Sequence, residues 1–373
     1  MGYLVLIRKG TINMNKRTVA VLFGGQSSEH EVSCISATTI ISNINKDLYN
    51  IIIIGITKEG KWIKVDSVSD ITSGEWVNGT TTAILSPDTT HKGLLIIENG
   101  KITNEPIDIV FPALHGKNGE DGTVQGLLEL CEIPYVGCGV VASSVSMDKL
   151  FTKIIVDSLN IPQANYVAVY KKEMNQLDMI ISRIEDTLQY PVFIKPSNSG
   201  SSRGVSKASN REEVKNGLIN AFLFDRKVLV EETILGREIE CAVLGGNDTK
   251  ASGVGEIIAA AAFYDYDAKY NNQESKTIIS PQLPQDTVEQ IRDYSLRIFK
   301  AVDGFGLSRV DFFVEHNTGR VVFNEINTMP GFTSISMYPM LWEAKGIGKP
   351  QLVDKLLQLA FSRVEAGGEV DGQ

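Results

Sequence analysis

The chain has 373 residues, 43% hydrophobic and 22% charged, with a formal net charge of −9. This suits two or three globular domains of ordinary size. An acidic chain without a Lys/Arg run excludes nucleic acid as the expected partner, and no apolar stretch approaches the roughly 20 residues of a membrane span.

Met14-Asn-Lys-Arg reads as a second start, so residues 1–13 are expected to lie outside the fold; the Tyr3–Ile7 run is too short for a signal segment. Thr18–Phe23 is an apolar, β-branched run ending in Gly24-Gly25. Apolar spacing through Val32, Ile35 and Ile40 then predicts a helix, with Ser28 and Glu31 as its capping box. Ile51–Ile56 and Ile107–Phe111 are predicted buried strands. Strand, glycines, helix, strand is the order of a parallel sheet that binds ligands at its strand C-terminal ends. Helices are predicted at Gly122–Leu130 and Ser146–Leu159. Beyond Pro134-Tyr-Val-Gly137 the pattern becomes α+β, with strands at Pro191–Pro196, Lys227–Glu231 and Glu238–Leu244 and a polar helix at Asn210–Phe224. The last third holds a strand at Gly253–Ile258, a polar aromatic loop at Phe263–Gln282, a helix at Pro284–Val302, a hairpin, a closing helix at Gln351–Arg363 and an acidic, Gly-rich tail expected to be disordered. Cys34, Cys131, Cys138 and Cys241 are scattered without a Cys-x-x-Cys, which argues against a zinc site or disulfide frame and for a reducing, cytoplasmic setting.

The hairpin is the most informative stretch. Two alternating apolar runs, Gly306–His316 and Arg320–Asn327, flank Asn317-Thr-Gly319. A three-residue loop there pairs Asp311 with Glu325 and Arg309 with Asn327, all on one face. Facing carboxylates repel, and a hard cation between them reverses the sign. Carboxylates with an amide oxygen suit Mg²⁺ that also holds phosphate. Upstream, Lys195-Pro-Ser-Asn-Ser-Gly200-Ser201-Ser202-Arg203-Gly204 reads as a phosphate cradle or, alone, as a polar Gly/Ser loop; it is not a Walker motif. Glu231 and Glu232 end an apolar strand, as an adenine acceptor or as solvated acids. His115 follows an apolar strand and precedes a Gly-rich turn, as a site residue or as a turn histidine. Tyr264–Tyr270 lacks an apolar period and suits a lid or a surface loop.

In combination these blocks resemble the D-alanine–D-alanine ligases of the ATP-grasp superfamily. The resemblance spans roughly residues 14 to 363. It rests on Gly24-Gly25-Gln-Ser-Ser-Glu29-His-Glu-Val-Ser, His115-Gly through Gly122, Ser146-Met-Asp-Lys149, Lys195-Pro through Lys207, Tyr264 through Tyr270, and Arg309 through Ser336. It implies an ATP-grasp fold, mixed α/β and α+β, behind a Rossmann-like parallel-sheet domain. The expected domains are 14–136, 137–234 and 235–365. It also implies ATP, two Mg²⁺ with Mn²⁺ as a substitute, two D-alanines as substrates, peptidoglycan synthesis and a homodimer.

Residue by residue, the resemblance gives Lys149, Lys195 and Lys269 to ATP phosphates, covered by Ser201 and Ser202. It gives Glu231 and the backbone of Glu232 to Ile234 to adenine, Glu238 to ribose, and Asp311, Glu325 and Asn327 to the metals. Glu29 is expected to bind the first ammonium, tied to Ser201 and Tyr270, with His115 beside that substrate. Arg309 and Gly331 are expected to stabilise the tetrahedral intermediate, and Ser336 and Met337 to bind the second carboxylate. Lys269-Tyr270 favours alanine over lactate as the second substrate and separates D-serine only weakly. A silent ATP-grasp binding protein would be expected to lack Arg309 or a metal carboxylate, and all are present. Arg203 departs from the apolar residue frequent in relatives and would face either phosphate or solvent. Asp66–Gly100, longer than in compact relatives, is expected to be peripheral, near a dimer face.

Overall fold

The computed structural model describes residues 16–258 and 276–368. Lys269, Tyr270 and the rest of the expected lid at Tyr264–Tyr270 lie outside them.

Three sheets follow one another along the chain. In the first, β1 (Arg17–Gly24) lies between β2 (Tyr49–Ile56) and β7 (Ile109–Pro112), all parallel. Their unbroken aliphatic runs are what strands covered on both faces require, and Val19 to Phe23 are fully buried. Helix α1 (His30–Asn43) is the crossover that parallel neighbours need. The expected capping box does not form. The helix starts at His30, so Glu29 takes the N-cap position and Glu31 stands one residue too early for the box; its carboxylate pairs with Lys58 instead.

The sequence predicts no strand between Ile56 and Ile107, and the structure differs. The segment forms β3 (Trp62–Val65), β4 (Thr82–Leu85), β5 (Gly93–Glu98) and β6 (Lys101–Pro106), with a short α2 (Val68–Ser73), and extends the sheet by antiparallel pairing. Nor is Asp66–Gly100 peripheral throughout. Trp76 is 5% exposed, edge-on to Phe23 at 4.8 Å and stacked on His30 at 5.9 Å. At roughly 25 cal/mol per Å² its indole contributes on the order of 4 kcal/mol to the corner that carries Glu29.

Helices α3 (Thr123–Leu130), α4 (Val140–Met147) and α5 (Lys149–Ser158) lead to the second sheet. The single helix expected over Ser146–Leu159 is thus two. Asp148 breaks it with extended backbone (φ −88°, ψ 100°) and caps α5 by accepting from the N–H of Leu150 and Phe151. The same carboxylate accepts from Ser197 Oγ at 2.7 Å and pairs with Lys227, which pins the start of α5 to the second sheet.

That sheet is antiparallel: β8 (Tyr166–Tyr170), β9 (Val192–Pro196), β10 (Ser206–Ala208) and β11 (Lys227–Glu232), in the order β10-β9-β11-β8. Helices α6 (Leu177–Thr187) and α7 (Arg211–Ala221) cover it with Ile180, Ile184, Val214 and Leu218. The third sheet is also antiparallel: β12 (Gly236–Gly245), β13 (Lys250–Ile258), β14 (Lys276–Ile279), β15 (Gly306–Glu315) and β16 (Val321–Asn327). Strand β14 falls inside the stretch read as loop to Gln282. Helix α8 (Gln285–Ala301) packs on this sheet, followed by α9 (Met337–Glu343) and α10 (Lys349–Gly368). Leu352, Val353 and Leu356 of α10 share one core with Val19 and Val21 of β1 and Leu307 of β15, so the closing helix joins the first and third sheets.

Candidate active site

The hairpin β15–β16 pairs Asp311 with Glu325 and Arg309 with Asn327, as expected, but by another route. The tip is not Asn317–Gly319. Glu315 N–H donates to Arg320 O, so His316 to Gly319 form the loop, closed by the Glu315–Arg320 ion pair at 2.9 Å. That moves the register by one residue, and a bulge opposite Asp311/Phe312, with Asn324 as the extra residue, moves it back.

On the resulting face Arg309 forks Asp311, with Nε–Oδ1 at 2.8 Å and Nη2–Oδ2 at 2.6 Å. Its Nε also lies 3.1 Å from Glu240 Oε2, and Asn327 Nδ2 donates to Asp311 Oδ2 at 3.0 Å. Burial disfavours the guanidinium charge, but Asp311, Glu240 and Glu325 outweigh it and hold its pKa well above the ordinary value. Glu325 and Asn327 line a cavity, whereas Asp311 is sealed beneath them. Glu325 and the amide oxygen of Asn327 present oxygens of the kind Mg²⁺ takes together with phosphate and water, and Asp311 stands directly beneath them. Among the described residues no three His, Cys, Asp or Glu gather into a self-sufficient cage, and Mg²⁺ bound with nucleotide phosphate does not require one.

Opposite the hairpin, Lys195 at the end of β9 places Nζ 2.6 Å from Glu231 Oε2, and Lys153 of α5 places Nζ 3.0 Å from Oε1. Burial pushes the Glu231 pKa up, but the two ammonium charges prevail and hold it at about 2. Burial likewise opposes the charge on Lys195, and Glu231 with Glu325 overcomes it, raising that pKa. For Lys149 burial wins: its pKa is lowered, with Lys195 adding to the effect and Glu325 opposing it. Lys149 Nζ donates to Ser199 O at 2.7 Å, directly before the Gly200-Ser201-Ser202 turn. Ser201 and Ser202 both have positive φ (50° and 55°), a conformation that costs non-glycine residues about 1 kcal/mol or more each. Ser201 Oγ is buried and has no hydrogen-bond partner among the described residues.

Glu29 closes the other end. Its carboxylate fills the space where side chains at Gly116 and Gly200 would stand: a β-carbon at Gly116 would overlap Oε2, and one at Gly200 would lie 2.8 Å from it. Glu29, the turn after His115 and the serine turn therefore meet at one point.

His115 is buried behind this corner. Nδ1–H donates to Met329 O at 2.9 Å, an assignment forced by the carbonyl being an acceptor only. Nε2 is 2.8 Å from Ser36 Oγ, which also accepts from Phe332 N–H at 3.1 Å. Burial opposes the imidazolium, but Glu120, at 3.9 Å, and Glu29 raise the His115 pKa. The first sheet thereby grips the loop that carries Gly331. That loop ends at Ser336, whose Oγ accepts from Thr333 N–H at 2.9 Å, and Met337 begins α9 with its side chain buried.

Of the predicted site residues, Glu29, Lys149, Lys195, Ser201, Ser202, Glu231, Glu232, Ile234, Glu238, Glu325 and Asn327 line one cavity of about 630 Å³, a volume suited to a nucleotide-sized ligand. His115, Arg309, Asp311, Gly331, Ser336 and Met337 stand behind or beyond its wall. Arg203 is exposed, over the Phe224 ring at 5.5 Å, and is not part of the lining. Lys153, Glu120 and Glu240 were missed. Lys153 had a signal, four residues after Lys149 on one helix face, and Glu240 stands two residues after Glu238 on its strand.

Two family models match the chain. One described as D-ala D-ala ligase N-terminus matches residues 18–138, and one described as D-ala D-ala ligase C-terminus matches residues 155–358. A D-alanine–D-alanine ligase of Acetivibrio thermocellus is 54% identical over 364 residues, covering 94% of this chain and 97% of the relative. One of Ruminiclostridium cellulolyticum is 51% identical, with 94% and 97% covered. Among solved structures, the VanG D-Ala:D-Ser ligase of Enterococcus faecalis superposes with a TM-score of 0.85 at 38% identity, covering 93% of this chain and 100% of that one. The D-alanine–D-alanine ligase of Coxiella burnetii gives 0.81 at 34%, covering 95% and 98%. With both halves matched and more than nine-tenths of its length shared, the chain belongs to the D-alanine–D-alanine ligase family of ATP-grasp fold.

Proposed function

We propose that this chain uses ATP to join two D-alanines into D-alanyl-D-alanine for peptidoglycan, through a D-alanyl phosphate. The observation that carries the reading is the single cavity running from Glu29 past Lys149 and Lys195 to Glu231 on one side and Glu325 with Asn327 on the other. Acyl donor, phosphate and base can share it.

Glu29 would hold the first ammonium with His115 beside it, and Ser201 with Tyr270 would tie the covering loops to that substrate. Glu231 and the backbone of Glu232 to Ile234 would take adenine, and Glu238 the ribose. Lys149, Lys195 and Lys269 would neutralise phosphate under the Ser201-Ser202 turn. Asp311, Glu325 and Asn327 would hold two Mg²⁺, whose chemistry is to neutralise phosphate charge; Mn²⁺ suits the same oxygens. A carboxylate is a poor acyl donor, and phosphorylation supplies its leaving group. The free amine of the second D-alanine, its carboxylate held at Ser336 and Met337, then attacks the carbonyl carbon and phosphate departs. Arg309 and the Gly331 N–H would offset charge on the developing oxyanion. Exclusion of water protects the acyl phosphate from hydrolysis.

The reading includes three working domains, 14–136, 137–234 and 235–365, and a homodimer, which light scattering tests. No helix of the described residues is long and apolar enough to cross a membrane. With four free cysteines, a cytoplasmic setting is part of the proposal.

The test is phosphate release from ATP, Mg²⁺ and D-alanine with the product identified by mass, and D-serine and D-lactate in competition. D-alanyl-D-alanine matched to phosphate is expected. A mixed product with serine would move the chain toward the specificity named for its Enterococcus neighbour, and no turnover would overturn the reading.

A further inference from the structure

Lys153 is 2% exposed, and a buried ammonium is costly unless it is paired. It stands one turn after Lys149 on α5. Its Nζ donates to Ala164 O at 3.2 Å, meets Glu231 Oε1 at 3.0 Å and lies 5.0 Å from the centre of the Tyr166 ring. The other carboxylate oxygen of Glu231 meets Lys195 at 2.6 Å. The two lysines differ in setting: the Lys153 side chain is 3% exposed, and that of Lys195 is 19% exposed. Glu231 is thus held at Oε1 by a cation buried in the cavity wall and met at Oε2 by a more exposed one that can turn to phosphate.

We propose that Lys153 is a positioning residue for nucleobase selection, which holds Glu231 ionised with one oxygen turned inward so that the other offers the base an acceptor and nothing else. The inference rests on the reading of Glu231 as the adenine contact. A carboxylate that can only accept welcomes an exocyclic amino group and repels a keto oxygen. Without Lys153, Glu231 is free to swing toward Lys195 or to carry a proton, and a carboxylic acid donates to a keto oxygen. Lys153, at the wall of the same cavity, therefore separates adenine from guanine through the Glu231 carboxylate it holds.

The experiment measures kcat and KM for ATP and for GTP, at saturating D-alanine, in the wild type and in Lys153→Met, Lys153→Arg, Glu231→Gln and the Lys153→Met/Glu231→Gln double variant. Lys153→Met is expected to raise the KM for ATP about tenfold and to shrink the ATP-to-GTP ratio of kcat/KM by a similar factor, the size of one lost charge-assisted contact. Its kcat should stay within about threefold of wild type, since the phosphates are handled elsewhere. Lys153→Arg, which keeps the charge, should restore most of the ratio. In the Glu231→Gln background Lys153→Met should change the ratio no further, because the lysine acts through that carboxylate. An unchanged ratio in Lys153→Met, or an additive double variant, overturns the inference. A wild-type KM for ATP in Glu231→Gln instead overturns the adenine reading itself. Should Lys153→Met not fold, Lys153→Gln carries the same comparison with the same outcomes.

Discussion

Gly116→Ala and Gly200→Ala together test whether the Glu29 carboxylate is where the first substrate is read. At Gly116 the added methyl would overlap Glu29 Oε2 and also crowd Ser27 Oγ at 2.8 Å, in a backbone with φ of +69°. Ordinary contact would require the carboxylate to withdraw by about 1 Å, a displacement that can cost an enzyme about a hundredfold. The left-handed backbone adds about 1–2 kcal/mol of destabilisation. At Gly200 the methyl would lie 2.8 Å from the same oxygen with no positive φ, so the carboxylate moves less and the backbone is unstrained. A third glycine, Gly126 inside α3, has nothing within 4 Å, and alanine there should stabilise by about 0.8–1 kcal/mol. The assays are urea unfolding and initial rates over a D-alanine titration that resolves the two substrate sites. Gly116→Ala should lose both stability and first-site kcat/KM, the latter about a hundredfold. Gly200→Ala should lose about tenfold in first-site kcat/KM with stability nearly intact, and Gly126→Ala should keep activity. If Gly116→Ala and Gly200→Ala both bind the first D-alanine normally, Glu29 is not its reader.

Two further outcomes are expected. Glu325→Gln keeps side-chain volume but removes the charge that faces Lys149, Lys195 and Arg309. The fold should persist while ligase turnover drops at least about a hundredfold, and near-normal turnover at saturating Mg²⁺ would sink the metal assignment. Glu231 has its pKa depressed from the ordinary 4.5 to about 2, so its pairing with Lys153 and Lys195 stabilises the fold above pH 4.5 and is lost as pH falls toward 2. Urea midpoints in that window should fall more steeply for wild type than for Glu231→Gln, which at neutral pH should be about 3 kcal/mol less stable for leaving two cations facing an amide. Parallel slopes would refute the ion-cluster account.

Local periodicity carried the sequence reading a long way. Continuous aliphatic runs gave β1, β2 and β7, and the step of two along the hairpin gave the face shared by Arg309, Asp311, Glu325 and Asn327. What it missed is what local pattern cannot encode. The Nδ1 of His115 meets a carbonyl 214 residues away, and Ser36 serves an N–H 296 residues away. Strands β3 and β4 span only four residues and β6 is exposed along most of its length, which weakens their local signal, whereas the apolar run at 94–97 in β5 was a legible strand signal. The Ser28/Glu31 motif misled because Lys58, brought near by β2, offers Glu31 a charge where a cap offers only an N–H. The extent of the fold was legible from the resemblance, while the part Lys153 plays depends on a carboxylate 78 positions downstream.

The bulge at Asn324 acts as a change of parity in the chain. Outward from it, Val321 and Phe323 face the buried side with Phe312; inward, Ile326 does. The interval passes from two residues to three. In a regular strand, the residue two after Phe323 would continue into that oily layer, and here that residue is Glu325. One supernumerary amide therefore lets a single strand obey two incompatible rhythms, phenylalanine to the core at one end and acid to the cavity at the other. It also frees the tip from the chemistry: residues His316 to Gly319 can drift in length or composition across descendants of this chain while the spacing between Arg309 and Asn327 is kept by a defect in the ladder rather than by the turn.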